Sequence, residues 1–450
     1  MDMHDALQEV LRCPTTGNAL GLANGSLETA DGAHSYPLIE GVPWLLPSPR
    51  NSLLDWGAKL HHLQQVIQSE VAQLERESKR SSGPTRQRLS TLQHAKQVFL
   101  TEVIALMRPV VTTKVATSAL YDALRDRAPS IQNLLSYEAN LYRDWIWGDQ
   151  ENAQGCQIVR DAIGATAPQR MVVLGAGSGR LAHDLHDAYR PELTVATDIN
   201  PLLLMAANRV FDGRGFRLHE FPAQPRCTED QAIEHTFTGL DHWPTGLSLA
   251  FADATNPPFA SNAFDVAVTP WLIDIQPHEL TLFLRQLNSY LPVGGRWINF
   301  GSLVFNQSRD AHRYAIEEIS GIAEAAGFAM GEPTETEMPY LKSPYNAGYR
   351  VERVWSWSAT KERDIARKME VQVLPSWLLD IDQPIPRTRY FQAFEQQHRS
   401  YAALTADIDG KTSIRKLGGR MARQNRGDPH EATEMVRQFL LEIYQQNRPA

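Results

Sequence analysis

The chain has 450 residues, 42% of them hydrophobic and 21% charged, the balance of a soluble globular protein with room for two or three domains. A formal net charge of −8 argues against a general affinity for nucleic acid, and no apolar run of ~18 residues offers a membrane span. Three cysteines, Cys13, Cys156 and Cys227, lie too far apart for a disulfide framework or a zinc ribbon, and no basic-then-apolar leader opens the chain, so a cytoplasmic protein without a metal is expected.

In residues 1–48, Val10 to Gly17 and Tyr36 to Pro47 set alternating apolar residues among turn formers, which predicts a small β-rich module. The phrasing resembles the Trm112-like domain that partners or precedes some methyltransferases. That type often carries two cysteine pairs. Only Cys13 stands here, so the resemblance implies a degenerate, metal-free module. Residues 49–136 change character. Leu53, Leu54, Leu60, Leu63 and Val66 recur at helical intervals, Ser81-Ser82-Gly83-Pro84 breaks the pattern, and further helices are predicted over 85–107 and 116–127. Their apolar stripes are expected to pack on each other and on the domain that follows. Arg143-Asp144-Trp145-Ile146-Trp147-Gly148 then leads into an amphipathic helix ending at Ile163.

Residues 171–200 organise the rest. Met171 to Leu174 is a short apolar run suited to a buried parallel strand. Gly175-Ala176-Gly177-Ser178-Gly179 follows, then helical spacing of Leu181, Leu185 and Ala188, then a second apolar run ending in Asp198. Glycines let a backbone turn sharply and approach a ligand, and an acid after the second strand is placed to accept hydrogen bonds from ribose hydroxyls. A dinucleotide site wants Gly-x-Gly-x-x-Gly, but Arg180 stands where its third glycine would fall. An insertion over 211–247, with Pro222, Pro225, Cys227 and Trp243, reads as a lid or pocket wall. His235 and His242 within it have no metal-ligand spacing. Leu249 to Ala252 ends at Asp253, Phe264 to Val268 reads as another strand, and Trp355 to Ala359 closes the domain as a last one.

The Gly-x-Gly-x-Gly spacing, Asp253, Phe264-Asp265-Val266 and Leu291 to Asn299 together resemble class I methyltransferases. The fold class expected is therefore α/β: a Rossmann-like methyltransferase core over 137–360 with a mixed, mostly parallel sheet. Around it come the β-rich module, the helical insert and a helical or winged-helix domain over 361–450. More specifically, residues 141–359 resemble the carnosine N-methyltransferase (N2227-like) family. The matching pieces are Arg143-Asp144-Trp145, Gly175 to Arg180, Asp198 to Phe211, Leu272-Ile273-Asp274, Trp297-Ile298-Asn299-x-Gly301, Ala326-Gly327-Phe328, and Tyr340 with Pro344.

The resemblance implies methyl transfer from S-adenosylmethionine to an imidazole nitrogen of a histidine-containing small molecule or peptide. It implies that Gly175, Ala176, Gly177 and Gly179 back the methionine end of the cofactor and that Arg180 pairs with its carboxylate. Asp198, Ile199 and Asn200 then meet the ribose, and Asp253 and Ala254 the adenine. Asp274, Tyr340 and Asn306 are the substrate-side candidates. Asn306 replaces a family histidine, which bears on the substrate and leaves the donor alone. Asp274 stands just past a strand at the carboxyl end of the sheet, where open α/β folds bind ligands. An acid there can fix the tautomer of a neutral imidazole and stabilise the cation that develops.

Beyond the core, Leu374 to Asp380, a helix over 390–404, the turn Asp409-Gly410-Lys411-Thr412-Ser413 and a helix over 431–444 resemble small winged-helix units, including PqqD-like modules that hold precursor peptides. A peptide-recruiting domain is one reading; a helical cap or a homodimer contact is the other. Arg415, Lys416, Arg420, Arg423 and Arg426 read as a solvated face. Two rival functions stay open: a methyltransferase for another natural product or peptide recruited by this domain, and a non-catalytic methyltransferase-like scaffold.

Overall fold

The computed structural model describes residues 5–47, 49–111, 133–276, 279–305, 310–366, 404–425 and 427–446, with isolated positions between 384 and 402. The chain divides into two compact units, 1–368 and 369–450.

The first unit begins with α1 (Asp5–Val10) and an antiparallel meander, β1 (Leu20–Ala23), β2 (Ser26–Thr29), β3 (Ser35–Ile39) and β4 (Val42–Leu45). The meander does not stand apart as a separate module. β4 runs parallel to residues 247–252, with Trp44 opposite Phe251 and Leu45 opposite Ala252. Trp44 is fully buried and its ring lies 4.6 Å from that of Phe251. Cys13 is buried, with its Sγ 3.1 Å from the Tyr36 hydroxyl. Burial of an apolar seam thus fuses these strands to the main sheet.

Two long helices follow, α2 (Pro49–Arg80) and α3 (Gly83–Met107), packed against each other and joined at the predicted Ser81–Pro84 break. Pro84 suits the first turn of α3 because its missing N–H is unneeded there. Phe99, Val103 and Met107 bury one face of α3 in the core. The helix predicted over 116–127 lies outside the described residues.

A short helical turn (Ala139–Tyr142) passes into one turn of π-helix over Arg143–Trp147, and α4 (Asp149–Ile163) follows. The core then alternates: β5 (Arg170–Leu174), α5 (Arg180–Tyr189), β6 (Leu193–Asp198), α6 (Pro201–Phe211), the hairpin β7 (Phe216–Glu220) and β8 (Ile233–Phe237), β9 (Leu247–Ala252), β10 (Val266–Pro270), α7 (Leu280–Tyr290), β11 (Arg296–Gly301), α8 (Ile316–Ala325), β12 (Phe328–Met330), β13 (Thr334–Tyr340) and β14 (Arg350–Lys361).

Among the described residues the main sheet has the order β1-β2-β3-β4-β9-β6-β5-β10-β11-β14-β12, with β13 paired to β14 off this path. Strands β4, β9, β6, β5, β10 and β11 are mutually parallel, and β14 enters antiparallel between β11 and β12. The sheet is mixed and mostly parallel, and the fold is α/β. Met171 to Leu174 and Val266 to Val268 are fully buried, as strands covered by helices on both faces must be. Chain order reverses at β5, which has β6 on one side and β10 on the other, and ligands bind at the carboxyl ends of strands flanking such a point.

The insertion over 211–247, expected as a lid or pocket wall, holds an antiparallel hairpin. β7 and β8 pair, Phe216 stacks on Phe237 at 4.2 Å, and buried Glu220 fixes the hairpin. Its carboxylate accepts from His235 at 2.8 Å, Trp147 at 3.1 Å and Ser343 at 2.8 Å. These bonds tie the hairpin to the π-turn and to the loop after β13.

In the second unit α9 (Ile414–Asn425) packs on α10 (Pro429–Gln446). The turn before α9 is closed by Asp409 Oδ1, which accepts from the Lys411 and Thr412 N–H groups. Ser413 accepts from Lys416 N at 3.4 Å, in the manner of a helix cap. Residues 374–380 and most of the helix predicted over 390–404 lie outside the described residues.

Candidate active site

A cavity of about 730 Å³ opens at the carboxyl ends of β5, β6, β9 and β10. Gly175, Ala176 and Gly177 form one end of it. Gly177 has φ +59°, and nothing lies within 4 Å of where a Cβ would stand. Its backbone therefore presents a bare surface to the cavity in a conformation that glycine holds without strain. Gly179 is not on the wall; it starts α5 and packs against Phe211.

Asp198 ends β6 and borders the cavity together with Ile199. Its Oδ2 accepts from Gly177 N at 2.9 Å and its Oδ1 from Asn200 N at 2.8 Å. Burial nevertheless pushes its pKa up from 3.8 to about 6, against the pull of these backbone bonds. Each oxygen retains a lone pair for a further donor. Asp253, just after β9, also borders the cavity beside Ala254. Its Oδ1 accepts from both Thr255 N and Thr255 Oγ1, at 2.8 and 2.7 Å.

Two more of the expected cofactor residues, Asn200 and Arg180, are likewise not on the cavity wall. Asn200 is fully buried as the cap of α6, accepting from Leu202 N and donating to the carbonyls of Leu134 and Ser136. Its amide is thus engaged at both ends. Arg180 does not reach the cavity. Its guanidinium is held by Asp184 at 2.9 Å, by Asp149 at 3.2 Å and by the Asp144 carbonyl at 2.6 Å, and it lies over the Trp145 ring. Arg143, on the π-turn, does border the cavity. Burial works against its charge, and Asp144 at 2.7 Å with Glu151 at 3.8 Å more than restores it. Asn140, one turn earlier, also borders the cavity, and its Oδ1 is buried with no hydrogen-bond partner. A buried acceptor left empty marks a place for a ligand donor. The sequence signals Arg143 only as part of a motif; nothing in the sequence marks Asn140.

Asp274 also borders the cavity, in the turn after β10 and 4% exposed. Ser302 Oγ donates to its Oδ2 at 3.0 Å and Val304 N at 3.3 Å. Burial raises its pKa in spite of these bonds. Tyr340 ends β13 and faces the same space, its ring 4.8 Å from Trp271 and 4.6 Å from the Arg350 guanidinium. Trp271 has φ +50°, a conformation that costs a bulky residue about 1–3 kcal/mol. Gly301 accommodates it: a Cβ there would lie 2.9 Å from Trp271 N and Cα. This close approach explains the glycine in Trp297-Ile298-Asn299-x-Gly301. Asn306 lies outside the described residues.

The residues present fit S-adenosylmethionine. Bare glycine backbone and Arg143 suit its methionine end, and the acids at the ends of β6 and β9 suit its ribose and adenine. The unfilled Asn140 acceptor lies on the same wall, and among the described residues no three His, Cys, Asp or Glu side chains converge as a rival metal site. The fold and this cavity define a class I methyltransferase that uses S-adenosylmethionine. A family profile described as carnosine N-methyltransferase matches residues 125–363, just over half of the chain, and the chain belongs to that family of N-methyltransferases. Matches to solved structures are remote. Phosphoethanolamine N-methyltransferase 2 from Haemonchus contortus, in complex with S-adenosylhomocysteine, is 14% identical, covering 53% of this chain and 61% of its own, with a TM-score of 0.34. The chain thus spans about three fifths of that protein. The N-methyltransferase NodS from Bradyrhizobium japonicum is 14% identical over 51% of this chain and 98% of its own, with a TM-score of 0.34. A possible histamine N-methyltransferase from Thermotoga maritima is 15% identical over 52% and 100%, with a TM-score of 0.32. Among curated proteins there is no significant match.

Proposed function

We propose that the protein methylates an imidazole nitrogen of a histidine-containing small molecule or peptide. The observation that carries this reading is Asp274: a buried carboxylate, fixed through one oxygen by Ser302 and Val304, that borders the same cavity as the glycine loop. When bound, S-adenosylmethionine supplies a methyl group already activated by its sulfonium. What remains for the chain is placement, charge and exclusion of water.

Asp274 holds the N–H of the acceptor ring, so that the other ring nitrogen carries the lone pair and faces the donor. The same carboxylate stabilises the positive charge that grows on the ring and takes its proton as the methylated ring returns to neutrality. Trp271 and Tyr340 give the flat acceptor an apolar wall. Arg143 takes the methionine carboxylate, Asp198 the ribose hydroxyls and Asp253 the adenine amino group.

The test supplies isotopically labelled S-adenosylmethionine with an imidazole dipeptide, with the same dipeptide blocked at one ring nitrogen, and with an aliphatic amine. NMR then locates the label. Label on the free imidazole nitrogen is the expected result. Label on the amine alone, or on no acceptor while the donor binds, overturns the imidazole reading.

A further inference from the structure

The turn that carries Arg143 is unusual in its own backbone. Gly148 N donates to Arg143 O at 2.9 Å across five residues, so one extra residue is packed into the turn. A Cβ at Gly148 would sit 2.3 Å from Arg143 O and 2.5 Å from Arg143 Cγ, which leaves glycine as the residue able to close it. Such π-turns concentrate at functional sites, where the inserted residue re-aims neighbouring side chains. Here Asn152 Nδ2 clamps the turn by donating to the carbonyls of Arg143 and Asp144, and Arg180 donates to the Asp144 carbonyl as well.

The side chain that this geometry turns inward is Asp144, 4% exposed. Its Oδ1 accepts from Arg143 Nε at 2.8 Å and lies 2.7 Å from Arg143 Nη2. Its Oδ2 accepts from Ser178 Oγ in the glycine loop at 2.5 Å. Trp145, the next residue, donates through Nε1 to the Ser178 carbonyl at 3.1 Å. The π-turn and the glycine loop are therefore latched together by one carboxylate, with the guanidinium on one oxygen and the loop hydroxyl on the other.

We propose that Asp144 is the positioning residue for the methionine end of the cofactor site, setting the Arg143 guanidinium and the glycine loop at a fixed separation. This rests on the reading above that Arg143 takes the cofactor carboxylate. A guanidinium gripped on its Nε edge presents its remaining N–H groups in one direction, and a loop anchored at Ser178 presents its bare backbone at a constant distance from them. Glu151, 3.8 Å from the other side of the guanidinium, is too far to substitute for that grip.

The test is isothermal calorimetry of S-adenosylmethionine on the full chain as Asp144→Asn, Arg143→Gln and the double variant, with thermal unfolding of each. Asp144→Asn keeps the shape and removes the charge. It should weaken donor binding about 10- to 100-fold, the loss expected when one charge-assisted bond is broken, and raise the donor KM far more than it changes kcat. Because Asp144 acts through Arg143, the double variant should bind no worse than Arg143→Gln alone. Additive losses, or a lower unfolding temperature with donor affinity unchanged, overturn the proposal. If Arg143→Gln alone binds as the wild type does, the arginine reading fails and takes this proposal with it. If only Asp144→Asn is silent, the proposal fails and the arginine reading stands.

Discussion

Burial makes the negative charge of Asp198 costly to hold. Its carboxyl rises from an ordinary 3.8 to about 6 because burial outweighs the Gly177 and Asn200 N–H bonds. At about 1.36 kcal/mol per pH decade, that rise corresponds to about 3 kcal/mol. The folded pKa lies above the unfolded one, so the folded chain keeps a proton that the unfolded chain has released. Stability from this group is complete below about pH 4 and is lost as pH rises through about 6. Asp198→Asn removes that slope. The amide also turns one donor toward a backbone N–H, which costs about 1–3 kcal/mol at every pH. The variant should therefore be the less stable chain at pH 4.5 and equal or superior to the wild type at pH 7.5, without ligand in both cases. The same variant should bind S-adenosylmethionine about 10- to 100-fold more weakly, because ribose hydroxyls lose a charged acceptor. Urea unfolding by tryptophan fluorescence across this pH range, beside calorimetry at pH 7.5, measures both effects. Stability curves that stay parallel over the range would refute the claim that the buried charge is strained.

Other expectations follow from the same geometry. Burial raises the Asp274 pKa, and the ionised form is the one that holds the ring N–H, so kcat should fall on the acid side from a higher pH than an ordinary aspartate would give. In Asp274→Asn that acid limb should disappear together with most of the turnover, while donor affinity stays, as a pH–rate series with calorimetry would show. Gly301→Ala forces a methyl group to 2.9 Å from the Trp271 backbone and should destabilise the chain by about 1–3 kcal/mol. Because the displaced turn carries Asp274, the acceptor KM should rise while the donor dissociation constant holds; an unchanged acceptor KM counts against the fit between β11 and that turn. Glu220→Gln leaves one of the three donors on this buried carboxylate unpaired and should cost about 1–3 kcal/mol in urea unfolding, with the β7–β8 hairpin opening first in hydrogen exchange.

The sequence by itself determined the parallel core. Apolar runs such as Met171 to Leu174, the glycine spacing from Gly175 to Gly179 and the acids at Asp198 and Asp253 are local signals, each legible within one strand and its turn. They marked Gly175, Gly177, Asp198 and Asp253, which the structure brings to the wall of one cavity. The Trp-Ile-Asn-x-Gly run was equally visible, yet its reason was not, because the atoms that Gly301 makes room for belong to Trp271, on the neighbouring strand's turn. Tertiary structure alone decided what depends on distant pairings. It fused the N-terminal meander to the sheet through Trp44 and Phe251, paired the 211–247 insertion into a hairpin pinned at Glu220, and buried Asn200 as a helix cap. It also exchanged Arg180 for Arg143 at the glycine loop. Arg180 follows the last glycine in sequence, but Asp184 and Asp149 compete for its guanidinium, while a single turn of π-helix brings Arg143 to the cavity from about thirty residues upstream. Periodicity reports which face of an element is apolar. It carries no record of which charges will meet once those faces are buried.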